Sequence, residues 1–174
     1  MEEPQLGRLA RRIADALSDR SIVAEVIEPG EHPGTAPMVL GGSEVWFKLT
    51  DEHINVLHVV GSLEEDSHRA RYLVGELRPT RETFAELKPK RKGLFGLGDI
   101  GGYEWKGRGL AAELKTDPFL TDMLVQAGYT DISIWPEGTE HVAIHPVHTM
   151  DAKHVVDFLR PGNVIARHLR RVVK

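Results

Sequence analysis

Apolar residues recur along this chain with two different periods, and the change of period separates predicted helices from predicted strands. From 4 to 18 they recur every three or four positions, which predicts an amphipathic first helix. The run 21–27 is short and rich in β-branched residues, and it stops at Pro29-Gly30. This run therefore predicts a strand followed by a turn.

Two strand-like runs, 45–49 and 54–60, are separated by four residues and predict a β-hairpin. Pairing Leu49 with Ile54 leaves Trp46, Leu57 and Val59 together on one face of that hairpin. The other face is apolar as well, so helices can cover only one of the two. We expect Trp46, Leu57 and Val59 to form part of a partner-binding surface.

The stretch 62–88 fits two interpretations. Residues 62–65 resemble a helix capping box, whereas the alternation around 70–74 and the run 83–87 favour strands, which we prefer. Further along, Asp117 as N-cap, Pro118 at the first helical position and Gly128 after the last turn predict a helix. Phe119 is expected on its inward face, together with Leu120 and Leu124.

The last third of the chain predicts a second hairpin and closing helices. The runs 129–135 and 141–145 pair with Ile132, Ile134, Val142 and Ile144 on one face only if the connecting loop is odd or bulged. A helix over 150–160 should end at Pro161-Gly162, before a final helix capped by Asn163. The chain is thus predicted to be α+β, with an antiparallel sheet of a meander plus a C-terminal hairpin, packed with three to four helices.

Glycine and basic residues concentrate in the segment 88–102, which holds five glycines between 93 and 102. We expect one domain over residues 1–174 with a flexible, glycine-rich seam at about 88–102. The segment also carries Leu94, Phe95 and Leu97, apolar residues that would suit docking onto a partner.

Composition narrows the class of protein. The 174 residues include no cysteine, which excludes disulfide frameworks, thiolate nucleophiles and iron–sulfur clusters. The acidic N-terminus does not resemble a signal peptide, and no apolar run approaches the ~20 residues that span a bilayer. We expect a cytoplasmic protein without membrane contact.

Histidines cluster between 141 and 154, which makes this segment the candidate metal site. His145, His148, Asp151 and His154 could converge after a turn at Pro146 and bind a divalent metal, although no fixed ligand motif is present. The alternative is a set of surface histidines, so no cofactor is predicted.

The basic run Lys90, Arg91 and Lys92 is the candidate nucleic-acid contact. Aromatic residues are only 6% of the chain and the net charge is −4, which argue against a dedicated nucleic-acid binder.

We find no nucleophile with a recognisable base and predict no catalytic residues. The function favoured by the sequence is a non-enzymatic protein-binding, adaptor or chaperone-like module that forms a homodimer. The alternatives are a metal-dependent enzyme or metal-binding protein using the histidine cluster, and a weak nucleic-acid binder using the basic run.

Overall fold

An antiparallel sheet of eight strands forms the centre of the computed structural model, which describes residues 7–28, 31, 43–62, 65–93 and 98–173. Its elements are α1 (Arg8–Asp19), β1 (Val23–Val26), β2 (Ser43–Thr50), β3 (Val56–Ser62), β4 (Ser67–Val74), β5 (Ala85–Arg91), β6 (Ile100–Gly107), α2 (Gly109–Lys115), α3 (Pro118–Gln126), β7 (Ile132–Glu137), β8 (His141–Pro146), α4 (Ala152–Asp157) and α5 (Leu159–Val172). A short 3-10 helix, Arg81–Thr83, precedes β5. The α+β class and the strands in 62–88 predicted from the sequence are confirmed.

The strand order across the sheet is β1-β2-β3-β4-β8-β7-β5-β6. The first four strands are a meander, and the C-terminal hairpin β7–β8 lies between that meander and the hairpin β5–β6. The junction between the two halves is the pairing of β4 with β8, through Tyr72↔Ile144, Leu73↔Ala143 and Val74↔Val142. Within the described ranges, β1 and β6 are the edges of the sheet.

The main core lies between one face of the sheet and the helices. Amphipathic α1 and α5 each place apolar residues at helical spacing on that face, including the fully buried Ile13 and Leu169. A smaller cluster, Trp46, Val56, Leu73 and Ala143, lies on the opposite face. We call this opposite face, away from the main core, the second face.

The first hairpin departs from the predicted register. Trp46 pairs with His58, and Phe47 pairs with Leu57. Five residues, 51–55, connect the two strands instead of four, and this shifts every pair by one position. The predicted common face of Trp46, Leu57 and Val59 is therefore wrong: Leu57 and Val59 are fully buried in the main core.

Two later predictions are confirmed in their local chemistry. The Asp117 side chain accepts a hydrogen bond from the Leu120 N–H at 3.0 Å, and Gly128 follows the helix with φ +89°. The loop between β7 and β8 has three residues, an odd number, so Ile134 pairs with Ile144 on the core face. Phe119 differs from its prediction, because its side chain is 77% exposed.

Pro161-Gly162 does not end a helix as predicted. Both residues lie in the first turn of α5, where a proline costs little because the first N–H groups of a helix have no partner within it. Gly162 is buried there, and a Cβ would lie 3.0 Å from Ile54 Cδ1. Close packing therefore explains this glycine.

The basic run lies on the β5–β6 hairpin. Strand β5 continues through Arg91, and the Lys92 N–H donates to the Asp99 carbonyl at 2.8 Å. The part of the expected seam that the structure describes is thus a β-hairpin, while Leu94, Phe95 and Leu97 lie outside the described residues. Across the described ranges, none of the helices is long and apolar enough to cross a membrane.

Candidate binding site on the second face of the sheet

Polar side chains form a row across seven strands on the second face. The register aligns Trp46 with His58 and His58 with Arg71. Beyond the β4–β8 junction, a continuous set of paired positions completes the row: His145, Ser133, Glu86 and Lys106. This row crosses seven of the eight strands of the sheet.

A buried hydrogen-bonded network occupies the meander half of this row. The Arg71 Nε donates to His58 Nδ1 at 3.1 Å, and His58 Nε2 lies 2.9 Å from Glu44 Oε1. Because Nδ1 accepts, His58 is the neutral tautomer that carries its proton on Nε2. The Arg71 Nη1 also donates to Glu137 Oε1 at 3.1 Å, an ion pair whose side chains are each 6% exposed.

Each of the two carboxylates in this network, Glu44 and Glu137, also binds a tryptophan. The Trp46 indole N–H donates to Glu44 Oε1 at 2.6 Å, and its ring stacks on His58 with centroids 3.8 Å apart. The Trp135 indole N–H donates to Glu137 Oε2 at 3.2 Å. Trp46 is buried and Trp135 is half-buried, so of these two tryptophans Trp135 is the one that a ligand can reach.

His145 lies beside Trp135, with ring centroids 5.4 Å apart in an edge arrangement. Its Nδ1 lies 2.9 Å from the Ala70 carbonyl oxygen, which requires a proton on Nδ1 and leaves Nε2 as an acceptor in the neutral ring. Burial lowers the pKa of His145 below its ordinary value, and the neighbouring Arg71 charge acts in the same direction. His145 is thus neutral at physiological pH.

Charges of alternating sign cover the other half of the second face. Lys88 Nζ lies 2.8 Å from Asp131 Oδ1, and Lys88 pairs across the strands with Glu104. In the neighbouring row, Glu86 pairs with Lys106. The acidic residue is here on β5 and the basic one on β6, the reverse of the pair Lys88 and Glu104. Cross-strand pairs of opposite charge each stabilise a sheet modestly.

The predicted metal ligands separate onto two surfaces. His145 is on the second face, whereas His148, Asp151 and His154 line a groove of about 320 Å³ beside Tyr129. Asp151 is the N-cap of α4, and its Oδ1 accepts from the His154 N–H at 2.7 Å. Within the described ranges, no three histidine, aspartate or glutamate side chains group as metal ligands. The metal site stays a prediction from the sequence.

The predicted nucleic-acid contacts Lys90, Arg91 and Lys92 are exposed at the far end of the β5–β6 hairpin. Among the described residues, half-buried Tyr103 is the nearest aromatic residue that could stack on bases. Trp105 is buried, and its indole N–H donates to Thr121 Oγ1 at 3.1 Å. The basic run therefore offers charge with little surface for base stacking.

Sequence reasoning missed Arg71, Glu137 and Glu44, which hold the second face together. The alternation of charged with apolar residues in β4, β5 and β6 is a sequence signal for a polar face of the sheet. That alternation identifies a polar face, but not which distant residues meet on it, because the Arg71–Glu137 pair is separated by 66 positions.

Comparisons with protein-family models, with curated proteins and with solved structures gave no match. The function is therefore argued from the geometry of the second face alone.

Proposed function

We propose that this protein is a non-enzymatic protein-binding module, of the adaptor or chaperone kind, that works as a homodimer and binds a polypeptide segment on its second face. The observation that carries the proposal is Trp135, a half-buried aromatic side chain whose orientation is fixed by Glu137, itself ion-paired to buried Arg71. Aromatic side chains held in place in this way are frequent anchors of protein interfaces.

The surroundings of Trp135 support recognition of a peptide that is partly apolar and partly charged. The ring offers a flat apolar surface next to neutral His145. The rows of Glu86, Lys88 and Asp131 next to it offer both signs of charge. A partner with one large apolar residue flanked by charged residues matches this arrangement.

The network next to Trp135 has the properties of a scaffold and not of a catalytic centre. His58 is fully buried, and both of its ring nitrogens are engaged, one by Arg71 and one by Glu44. A general base must reach the substrate proton within hydrogen-bond distance. His58 therefore supports the shape of the face, and Trp135 makes the contact.

Selection from a library of random peptides displayed on phage tests this proposal. Peptides enriched on the full-length protein are expected to carry a large apolar or aromatic residue. Their dissociation constants, measured by fluorescence anisotropy, are expected to rise roughly tenfold or more in Trp135→Ala, the loss typical of a truncated anchor residue.

Phe119→Ala is the matched control, because Phe119 is an exposed aromatic residue on α3 instead of the second face. It is expected to leave the peptide affinities unchanged. Equal affinities for wild type and Trp135→Ala would overturn the proposal, as would a selection that enriches no peptide.

A further inference from the structure

Strand β6 has an uncovered backbone edge with a defined set of outward-pointing groups. In the described part of the chain β6 pairs with β5 alone. The Arg108 N–H donates to the Phe84 carbonyl, and Pro89, which has no N–H, lies opposite Tyr103. Since backbone groups of successive residues point to opposite sides of a strand, Tyr103, Trp105 and Gly107 direct their N–H and C=O groups away from β5.

We propose that a second copy of this chain pairs with this edge, antiparallel, around a two-fold axis at Trp105, and that the two sheets become one sheet of sixteen strands. The pairing aligns Trp105 with the partner's Trp105, and Tyr103 with the partner's Gly107. All three positions have outward backbone groups, so each pair can exchange two hydrogen bonds. The inference rests on the homodimer in the proposed function and gives it a surface.

The side chains of β6 favour this register over its neighbours. With the axis at Trp105, Glu104 lies opposite the partner's Lys106, and Lys106 lies opposite the partner's Glu104. An axis at Glu104 would oppose two glutamates, and an axis at Lys106 would oppose two lysines, which destabilise a strand pair. The strand is therefore complementary in charge to a second copy of itself.

The charge rows of the second face continue across the proposed axis. One row runs Asp131, Lys88, Glu104 and would continue with the partner's Lys106. The next row runs Glu86, Lys106 and would continue with the partner's Glu104. Alternation of sign is thus preserved from β7 of one copy into β6 of the other.

Exposed apolar side chains lie near the same edge. Ile100 on β6 is 48% exposed, and Phe84, whose carbonyl accepts from the Arg108 N–H just after β6, is 44% exposed. Large apolar residues near an uncovered strand edge suit a protein interface better than solvent.

Sedimentation equilibrium of the full chain tests the pairing through charge reversal. Wild type is expected to be a dimer, and Glu104→Lys and Lys106→Glu are each expected to raise the dimer dissociation constant roughly tenfold or more, because each sets like charges opposite one another twice. An equimolar mixture of the two variants is expected to regain the dimer, since both cross-strand pairs are then of opposite sign. The double variant with both reversals is expected to dimerise with itself.

Glu140→Lys is the matched control: it makes the same change of charge, but at an exposed position in the loop between β7 and β8, away from the edge. It is expected to remain dimeric, and circular dichroism checks that every variant is folded. A monomeric wild type, or single reversals that dimerise like wild type, would overturn the β6 pairing. A monomeric wild type would also remove the homodimer from the proposed function, whereas single reversals that dimerise like wild type would overturn the β6 pairing alone. Peptide binding at Trp135 is measured separately and depends on neither result.

Discussion

At the scale of single residues, the histidines of this fold differ in the partners of their ring nitrogens. His145 has one acceptor on Nδ1, the Ala70 carbonyl, and lies beside the Trp135 ring. His168 has a carboxylate on each ring nitrogen, with Glu113 and Asp117 both at 3.0 Å. The Ala70 carbonyl fixes the tautomer of His145, whereas both ring nitrogens of His168 lie against carboxylates.

Replacing His145 by asparagine is expected to reduce the loss of stability in mild acid. Burial lowers the pKa of His145 from its ordinary value of 6.5, so the folded protein binds fewer protons than the unfolded chain as the pH falls below that value. The contribution of His145 is full above pH 6.5 and declines as the pH falls towards its lowered pKa. The amide of the introduced asparagine keeps a donor towards the Ala70 carbonyl, and it does not titrate.

The measurement is the free energy of unfolding in urea, compared between about pH 7.5 and about pH 5.5, on either side of the ordinary histidine pKa. His148→Asn is the control, because His148 is exposed. If His145→Asn and wild type lose the same stability over this range, the burial of His145 has no energetic consequence.

At the scale of elements, the turn between α2 and α3 is held by one aspartate with two roles. Asp117 Oδ1 caps α3, and its Oδ2 contacts His168 of α5. The hydrogen bond from His168 lowers the pKa of Asp117 and of Glu113, so both carboxylates stabilise the fold above their ordinary pKa values and less as the pH falls through the lowered ones. The His168 side chain of α5 thereby contacts both Glu113 of α2 and the N-cap of α3.

Asp117→Ala is expected to destabilise the protein by about 1 kcal/mol through loss of the N-cap alone, a fall in Tm of about 2–4 °C for a chain of this length. Asp117→Asn is expected to lose less at neutral pH, because an asparagine also caps a helix. Thermal unfolding followed by circular dichroism compares the two variants. Equal losses would mean that the contact with His168, and not the cap, carries the effect.

Residues with strong local preferences made α3 and the second hairpin predictable. The β2–β3 register and the position of Phe119 depend on no such residue, and both predictions are wrong. Asp117, Pro118 and Gly128 each fix a helix end through their own backbone preferences. The connection 51–55 has no residue that determines its length, so the register of β2 with β3 came out one position wrong. Phe119 was placed inward by its spacing, although packing around α3 leaves it outside.

At the scale of the whole molecule, the sheet is two halves joined at β4 and β8. Only three residue pairs define that junction in the described part of the chain. The Arg71–Glu137 ion pair crosses it, from β4 to β7. Helix α5 contacts β4 and also α2, which packs on β5 and β6, and so links the halves on the core face.

Arg71→Met is expected to cost about 3–5 kcal/mol, because it leaves the Glu137 charge buried without its cation. The double variant Arg71→Met with Glu137→Gln is expected to regain a large part of that loss, since no isolated charge remains and the glutamine oxygen can still accept from Trp135. Urea unfolding at neutral pH measures both. A double variant no more stable than Arg71→Met would show that the Glu137 charge is not the source of the loss.

The sequence could not predict this network, although it predicted the strands that carry it. Arg71 contacts His58 at a separation of 13 positions and Glu137 at 66. Alternation assigns each residue to a face, but the order of strands decides which residues become neighbours. That order places β8 and β7 between β4 and β5, an arrangement that no local pattern in the chain encodes.

The unequal length of the two sheet edges has a consequence for how far assembly can proceed. Strand β6 has eight residues, whereas β1 has four and carries exposed Glu25. Contact of β1 with β6 would repeat from copy to copy and build an open fibre. Pairing of β6 with itself would occupy the longer edge of both copies and leave the two β1 edges, each of four residues, with Glu25 between exposed Val23 and Val26. A short edge offers few backbone groups for further strand addition. In the proposed dimer, further growth would therefore depend on the shorter of the two edges.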